Sequence, residues 1–241
     1  MNGRIVRPDN VNALELPEIG RLHIGMKAKG QNGREYPTSV DYFIPAGKYA
    51  ALFTQALGAK PSTIAVIFPD DNPANVCNER YTYRDDAGRL VARGDGQTFE
   101  VWNGKVYAPY SIGEYPDLMK QIAANQPNKR VKAGLDGWEV ELTMRFIVPA
   151  VRGIVGVWGF STKGAASSIR NIRNSFDGVQ ALRGSVRQTV FDLSVKFAQS
   201  NKPGVNSRFP VVELTANDNR IAEIREMLQP QHNTAMLLPD K

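Results

Sequence analysis

The longest regular pattern of hydrophobic and polar residues begins at Trp138 and predicts an extended strand. Apolar side chains occupy every second position from Trp138 to Val148, and mostly polar residues stand between them. A period of two is typical of a strand with one buried face and one face toward water. A second alternation, from Phe191 to Phe197, predicts another half-buried strand.

A basic amphipathic helix is predicted between these two strands, near residues 165–182. Its apolar residues recur at helical spacing: Ile169, Ile172, Phe176 and Val179. This spacing places them in one stripe that can pack on a core. The glycine-rich segment 153–164 precedes the helix, and it lacks the Gly-Lys-Ser/Thr order of a phosphate-binding loop. We therefore interpret these glycines as a bent hairpin or a twisted strand.

The other predicted elements are mostly short strands. Asn103-Gly104 lies between two short runs of strand residues and is the strongest hairpin signal in the chain. Further strands are predicted at 20–29, 40–44, 62–69, 80–84, 89–93, 99–102, 106–110 and 209–214, and further helices at 47–57, 116–124 and 218–228. Tyr107 and Trp158 stand within strand-like apolar runs, which favours core positions for both.

These elements predict an α+β fold that is rich in strands, with mainly antiparallel sheets and about four short helices. A polar, basic segment at 125–136 is either a linker or an exposed loop, and the change in charge there favours two lobes. The predicted division is a flexible N-terminal arm at 1–19, an N-terminal α+β lobe at 20–127, a basic C-terminal α+β lobe at 128–229 and a loose tail at 230–241.

The positive charge of the chain is concentrated in its second half. Residues 128–208 contain 13 Lys and Arg against 5 Asp and Glu, whereas residues 1–127 contain 14 of each. Such a clustered excess is typical of a protein that binds a polyanion, most commonly nucleic acid. An inert basic surface, or a face that meets an acidic protein, is the alternative.

The candidate contacts to nucleic acid or to a partner are basic residues of this half. They are Lys129, Arg130, Lys132, Arg145, Lys163, Arg170, Arg173, Arg183, Arg187 and Lys196. Arg170 and Arg173 are three positions apart on the flank of the predicted helix, so they can contact successive phosphates; a solvated helix face is the alternative. Three aromatic residues are candidates for stacking on bases: Trp102, Tyr110 and Trp158.

Catalytic and metal sites are poorly supported by the residues. The two histidines, His23 and His232, stand in a predicted strand and in the tail, and no Gly-x-Ser-x-Gly motif is present. The single cysteine, Cys77, leaves a zinc site without its usual ligands. We therefore predict a protein that is not an enzyme and holds no metal or cofactor.

The same composition bears on location. One cysteine excludes an internal disulfide and fits a reducing cytoplasm. The first twelve residues are polar, unlike a secretion signal, and no segment approaches the roughly 20 apolar residues of a membrane helix. We predict a cytoplasmic protein that does not contact membranes.

The order of short motifs resembles the bacteriophage recombination directionality factors that partner large serine integrases. The resemblance spans roughly residues 20–215. It rests on Arg21-Leu22-His23-Ile24-Gly25, Tyr36-Pro37, Asp41-Tyr42-Phe43, Phe146-Ile147-Val148-Pro149, the run from Gly156 to Gly164, Phe191-Asp192-Leu193 and the run from Ser207 to Leu214.

The resemblance implies a non-enzymatic accessory protein in the cytoplasm of a bacterial host. Such factors bind the integrase on its attachment-site DNA and switch it from integration to excision through protein contact. The implied partners are a serine integrase and DNA, contacted directly or through the bound recombinase. The alternative is a single-stranded-DNA-binding protein of phage replication or recombination, although the acidic tail common in such proteins is missing.

Overall fold

Two β-sheets organise the computed structural model, which describes residues 16–29, 32–125, 137–200, 204 and 206–217. Within these ranges the strands are β1 Glu18–Lys29, β2 Glu35–Ala46, β3 Thr63–Val66, β4 Cys77–Arg84, β5 Leu90–Gly94, β6 Thr98–Trp102, β7 Tyr107–Ser111, β8 Trp138–Phe146, β9 Val157–Thr162, β10 Phe191–Gln199 and β11 Arg208–Ala216. The helices are α1 Ala50–Leu57, α2 Pro73–Val76, α3 Leu118–Asn125 and α4 Arg170–Arg183, the last preceded by a π-helical turn at Ala165–Ile169.

The larger sheet has eight strands in the order β2-β1-β9-β8-β4-β5-β6-β7, and the smaller has three in the order β11-β10-β3. Every pairing is antiparallel except that of β1 with β9, which is parallel. The predicted α+β class, rich in antiparallel strands, is confirmed.

Strands from both sides of residue 127 share both sheets. Strands β8 and β9 lie between β1 and β4, and β10 pairs with β3. A central strand such as β8 needs a hydrogen-bonding partner on each side, and here β4 and β9 supply them. The described strands of the segments 20–127 and 128–229 are therefore interleaved in the sheets, so the change in charge does not mark the edge of a sheet.

The larger hydrophobic core lies between the two sheets and beneath α4. Strand β8 contributes Leu142, Met144 and Phe146 from the large sheet, while the small sheet and α4 contribute residues from the opposite side. The ring of Phe68 connects these parts, with its centroid 5.0 Å from that of Phe176 in α4 and 5.3 Å from that of Phe191 in β10. Burial of this apolar surface is the main stabilisation that holds α4 on the sheets.

A smaller core lies under the other end of the large sheet and is centred on Trp138. Its ring centroid is 5.3 Å from that of Tyr83 and 5.2 Å from that of Phe99, and its Nε1 donates a hydrogen bond to the Met119 carbonyl at 3.1 Å. Leu118 and other apolar residues of α3 close this core. Trp138 thus starts the long strand and also anchors α3.

Several local predictions are confirmed. Gly104 adopts φ +97° in the β6–β7 turn, as a tight hairpin with Asn-Gly requires. The glycine-rich segment leads into β9, which returns antiparallel to β8, so the interpretation as a bent hairpin is confirmed. The helix α2 was not predicted, because four residues are too few to show a helical period.

The end of the predicted N-terminal arm is part of the sheet. Glu18 and Ile19 belong to β1, and the carbonyl of Pro17 accepts a hydrogen bond from the Val157 amide at 2.9 Å. Residues 1–15 of that arm, the predicted helix at 218–228 and the tail lie outside the described residues. Of the helices described, none is long and apolar enough to cross a membrane.

Candidate nucleic-acid interface

The face of the large sheet that points away from the core is polar, and we call it the outer face. Cys77 of β4 pairs with Met144 of β8, and both side chains are buried. Because side chains alternate along a strand, the neighbouring pair of Asn78 and Thr143 points to the outer face. The same alternation places Arg145 on that face.

Five arginines converge on the outer face and line a groove of about 430 Å³. They come from four strands and are Arg21 of β1, Arg80 and Arg84 of β4, Arg93 of β5 and Arg145 of β8. Neutral hydrogen-bonding side chains, such as those of Thr82 and Ser161, stand between them, and Glu141 is the carboxylate in the lining. We call this feature the arginine groove.

Three of the five guanidinium groups are held by carboxylates. Arg84 Nη2 lies 3.2 Å from Glu141 Oε2, and Arg93 Nε lies 2.6 Å from the carboxylate of Glu100 on β6. At the other end of the groove, Arg21 pairs with Glu18 at 2.6 Å. These ion pairs fix the positions of the guanidinium groups and offset part of their charge.

The other two arginines bond to neutral groups. Arg80 Nε donates to the Asn78 side-chain oxygen at 3.0 Å, and Arg145 Nη2 donates to the Leu16 carbonyl at 3.0 Å. Among the described residues no carboxylate lies within ion-pairing distance of either one. Neither guanidinium is held in a direct ion pair with a described carboxylate, so both can bond to an anion in the groove, although Glu141 stands opposite Arg80 in the ladder and offsets part of its charge.

An exposed aromatic pair continues the outer face beyond β5. Trp102 and Tyr107 face each other across the β6–β7 hairpin with ring centroids 5.2 Å apart, and they are 41% and 36% exposed. Arg93 connects this pair to the groove, since its guanidinium carbon lies 5.5 Å from the Tyr107 ring centroid. The Tyr107 hydroxyl also donates to the carbonyl of Leu90 at 2.9 Å. The predicted core position of Tyr107 is wrong, because the outer side of this hairpin is not covered.

The three aromatic residues predicted to stack on bases lie in different environments. Trp102 stands on the outer face, as described. Tyr110 points to the opposite side of the sheet, where it packs on the smaller core with its ring 5.5 Å from that of Tyr115. Trp158 is only 1% exposed and packs on Phe53 at 4.9 Å, so its ring is not available to a base.

The predicted arginines of α4 lie on the other side of the large sheet. Arg173 Nη1 bonds to Glu79 Oε2 at 2.9 Å, and Glu79 alternates with Arg80 along β4. Asp177 lies 3.5 Å from Arg173 Nε. The hydrogen bond and charge of Glu79 are the main causes that raise the pKa of Arg173. Arg170 is exposed on the same helix.

The remaining predicted basic residues are dispersed over the surface. Lys163 follows β9 and pairs with Glu139 of β8. Lys196 pairs with Glu213 at 2.9 Å on the small sheet. Arg183 and Arg187 lie at and after the end of α4, and Lys129, Arg130 and Lys132 lie outside the described residues. Of the predicted basic residues that the structure describes, Arg145 is the one that lines the arginine groove.

The sequence did carry a signal for the four groove arginines that were missed. Arg21, Arg80, Arg84 and Arg93 all stand in predicted strands. The net charge of a segment does not reveal them, because residues 1–127 carry equal numbers of basic and acidic side chains. Only the order of the strands shows that these arginines share one surface with Arg145.

Cys77 is a core residue in this structure. Burial is the main cause that raises the pKa of its thiol to about 12, with smaller effects from the charges of Asp177 and Glu79. A thiol with so high a pKa is not a nucleophile near neutral pH. In the described part of the chain, no group of three His, Cys, Asp or Glu side chains is placed to hold a metal ion.

Comparison with known families assigns the class of the protein. Residues 19–217 match the family described as Gp3-like, recombination directionality factor-like. The match covers more than four fifths of the 241 residues and reaches from β1 to β11. The chain therefore belongs to this family, the phage recombination accessory factors that its motifs resemble. No curated protein and no solved structure matches it.

Proposed function

We propose that this protein binds a serine integrase on its attachment-site DNA and switches the enzyme from integration to excision. The observation that carries the proposal is the family match, which extends over nearly all of the described fold. The protein acts by contact and catalyses no reaction itself. By binding, it shifts the equilibrium between alternative arrangements of the DNA-bound integrase subunits toward the arrangement that carries out excision.

The β1–β2 hairpin is the surface we propose for contact with the integrase. Among the described strands, β1 pairs from Gly25 to Lys29 with β2 alone, whereas its first residues also pair with β9. The hairpin therefore extends past the rest of the sheet. It exposes two large apolar side chains, Met26 at 44% and Tyr36 at 51%.

The backbone of β2 supports the same assignment. Strand β2 is the first strand of the large sheet, and β1 is its ladder partner. The Phe43 amide of β2 already donates to the Pro61 carbonyl at 2.9 Å, so the proposed contact uses the half of β2 at residues 35–39, which pairs with Gly25–Lys29 of β1. An edge strand presents unpaired backbone groups that can extend a sheet into a partner protein. An edge with adjacent apolar side chains offers hydrogen bonds together with a small apolar anchor.

An excision assay with purified components tests the proposal. The serine integrase of the same phage genome is incubated with two hybrid attachment sites, with and without this protein. The expected result is excision only when the protein is present. The double variant Met26→Ser/Tyr36→Ser should need about tenfold more protein for the same excision, the loss typical of an interface anchor.

The matched control is Leu52→Ser/Val106→Ser, which removes two exposed apolar side chains elsewhere on the surface. It should retain wild-type activity. If the wild-type protein neither stimulates excision nor binds the integrase, the proposed function is wrong. If the hairpin and control variants behave alike, the integrase contact lies on another surface.

A further inference from the structure

We infer that the arginine groove and the Trp102–Tyr107 pair together form a binding site for single-stranded DNA. This activity is separate from integrase contact through the β1–β2 hairpin. It rests on the charge, the layout and the exposed aromatic rings of the outer face.

The charge of the groove favours a phosphate backbone. Five arginines and one glutamate line it. Even when Glu18 and Glu100 are added as the partners of Arg21 and Arg93, cations exceed carboxylates by two. Guanidinium groups match the geometry of phosphate oxygens. The hydroxyls of Thr143 and Ser161 bond to each other at 3.2 Å, which leaves one of their two protons for a phosphate.

The pairing registers place these groups along a diagonal across the sheet. Arg145 lies beyond the Cys77 end of β4, whereas Arg93 pairs with Thr82, near the other end. Trp102 lies one strand farther and two residues past Glu100, the partner of Arg93. With ~3.3 Å per residue and ~4.8 Å per strand, the path from Arg145 to Trp102 is about 30 Å. That length accommodates several nucleotides of one extended strand.

The aromatic pair selects a single strand over a duplex. Stacking on a side chain requires an unpaired base, because the faces of paired bases are covered by their neighbours in the duplex. Arg93 lies over Tyr107 and the hydroxyl of Tyr107 is bonded to Leu90, so that ring is fixed in place. Trp102 is the more exposed ring of the two and is the platform for a base.

Fluorescence anisotropy measures the binding of single-stranded DNA. The probe is a labelled oligonucleotide of about ten thymidines, a length within the range of site sizes known for single-strand-binding proteins. The full chain is titrated between about 50 and 200 mM salt. The double variant Arg80→Gln/Arg145→Gln should lower the slope of log affinity against log salt by about 1.4, or about 0.7 per phosphate contact. Its affinity at low salt should fall about tenfold or more.

The matched control is Arg170→Gln/Arg173→Gln, which removes the same charge from α4 on the other side of the sheet. It should retain affinity and slope. Equal losses in both double variants would mean that the whole basic surface attracts DNA, and the groove site would be wrong. Absence of binding at low salt, or tighter binding to a duplex of the same length, would also overturn it.

Intrinsic fluorescence gives a second readout that does not depend on the arginine variants folding. The chain has three tryptophans, and Trp138 and Trp158 are only 4% and 1% exposed. Quenching by an unlabelled oligonucleotide should therefore come from Trp102 and should vanish in Trp102→Phe. Quenching that persists in this variant would contradict the stacking platform. Excision assays on the same proteins test the integrase proposal separately. Loss of binding to single-stranded DNA with normal excision, or the reverse, therefore shows which of the two proposals fails.

Discussion

The guanidinium of Arg84 lies 3.2 Å from the carboxylate of Glu141 on the adjacent strand, in the arginine groove. The two residues are 57 positions apart in the chain and meet because β4 pairs with β8. Both side chains are mostly shielded from water. Glu141 therefore sets the position of one groove arginine and reduces the positive potential of the groove.

Glu141→Gln should raise the affinity for single-stranded DNA. The substitution keeps the shape of the side chain and removes the one negative charge in the groove lining. A gain of about threefold is expected, the size of a partly exposed ion-pair effect. Anisotropy at low salt measures it. Glu213→Gln, which frees Lys196 on the small sheet, is the control and should give no gain; an equal gain in both would contradict the prediction.

Asp71→Ala should destabilise the fold by about 3 kcal/mol, since it leaves several donors without an acceptor. The Asp71 carboxylate accepts hydrogen bonds from the Ser185 hydroxyl at 2.9 Å and from the Val186 amide at 2.7 Å. These bonds connect the loop before α2 to the turn after α4. Urea denaturation measures the loss, and Asp41→Ala, at an exposed position, should change stability by less than about 0.5 kcal/mol. Equal stabilities of the two variants would show that the bonds to Asp71 contribute little.

The Cys77 thiol should make stability fall at alkaline pH. Its pKa is raised from 9.0 to about 12 in the folded protein, because burial disfavours the thiolate. Below pH 9 both states keep the proton and Cys77 adds no pH dependence. Between pH 9 and 12 only the unfolded state loses the proton, which favours unfolding.

The wild type and Cys77→Ala are denatured at a series of pH values, from pH 8 to the highest pH at which unfolding is still reversible. Comparing the two proteins separates the effect of Cys77 from that of lysine titration, which is common to both. The difference in unfolding free energy between the two proteins should shrink as the pH rises above 9. A second check is alkylation near neutral pH, which should be slow in the folded protein and fast in urea. Rapid alkylation of the folded protein would show that Cys77 is accessible.

Two glycine substitutions should have opposite effects. A methyl group at Gly178, within α4, meets no neighbouring atom within 4 Å, so Gly178→Ala should stabilise the protein by about 0.5–1 kcal/mol through helix propensity. A methyl group at Gly20 would collide with the buried Trp158 ring and lie 2.9 Å from the Ala46 carbonyl oxygen. Gly20→Ala should destabilise by about 2 kcal/mol. Thermal unfolding measures both, and a destabilising Gly178→Ala would contradict the placement of α4.

Local pattern was sufficient for most elements of this fold. The alternation from Trp138 predicted β8 with the correct buried face, since Trp138, Leu142, Met144 and Phe146 are all buried. The stripe on the basic helix is also correct, because Ile172 and Phe176 are fully buried. Such patterns succeed because burial on one face leaves a period in the sequence that needs no knowledge of the partner.

Position within the sheets was not predictable in the same way. The division at residue 127 followed a change in charge, and charge on a surface does not determine which strands pair. Trp158 and Tyr107 stand in similar apolar runs, yet α1 covers the first and nothing in the described residues covers the outer side of the second. Whether a side chain is buried depends on what packs against it, which a single segment does not encode.

The sequence alone determined the α+β class, most of the strands and the resemblance to recombination directionality factors, because these depend on local periodicity and short motifs. The tertiary structure decided which arginines lie together on one surface. It separated Arg170 and Arg173 from Arg145 and joined Arg145 to four arginines of the N-terminal half. The physical reason is strand order: β8 lies next to β4 and two strands from β1, so residues far apart in sequence share one electrostatic surface.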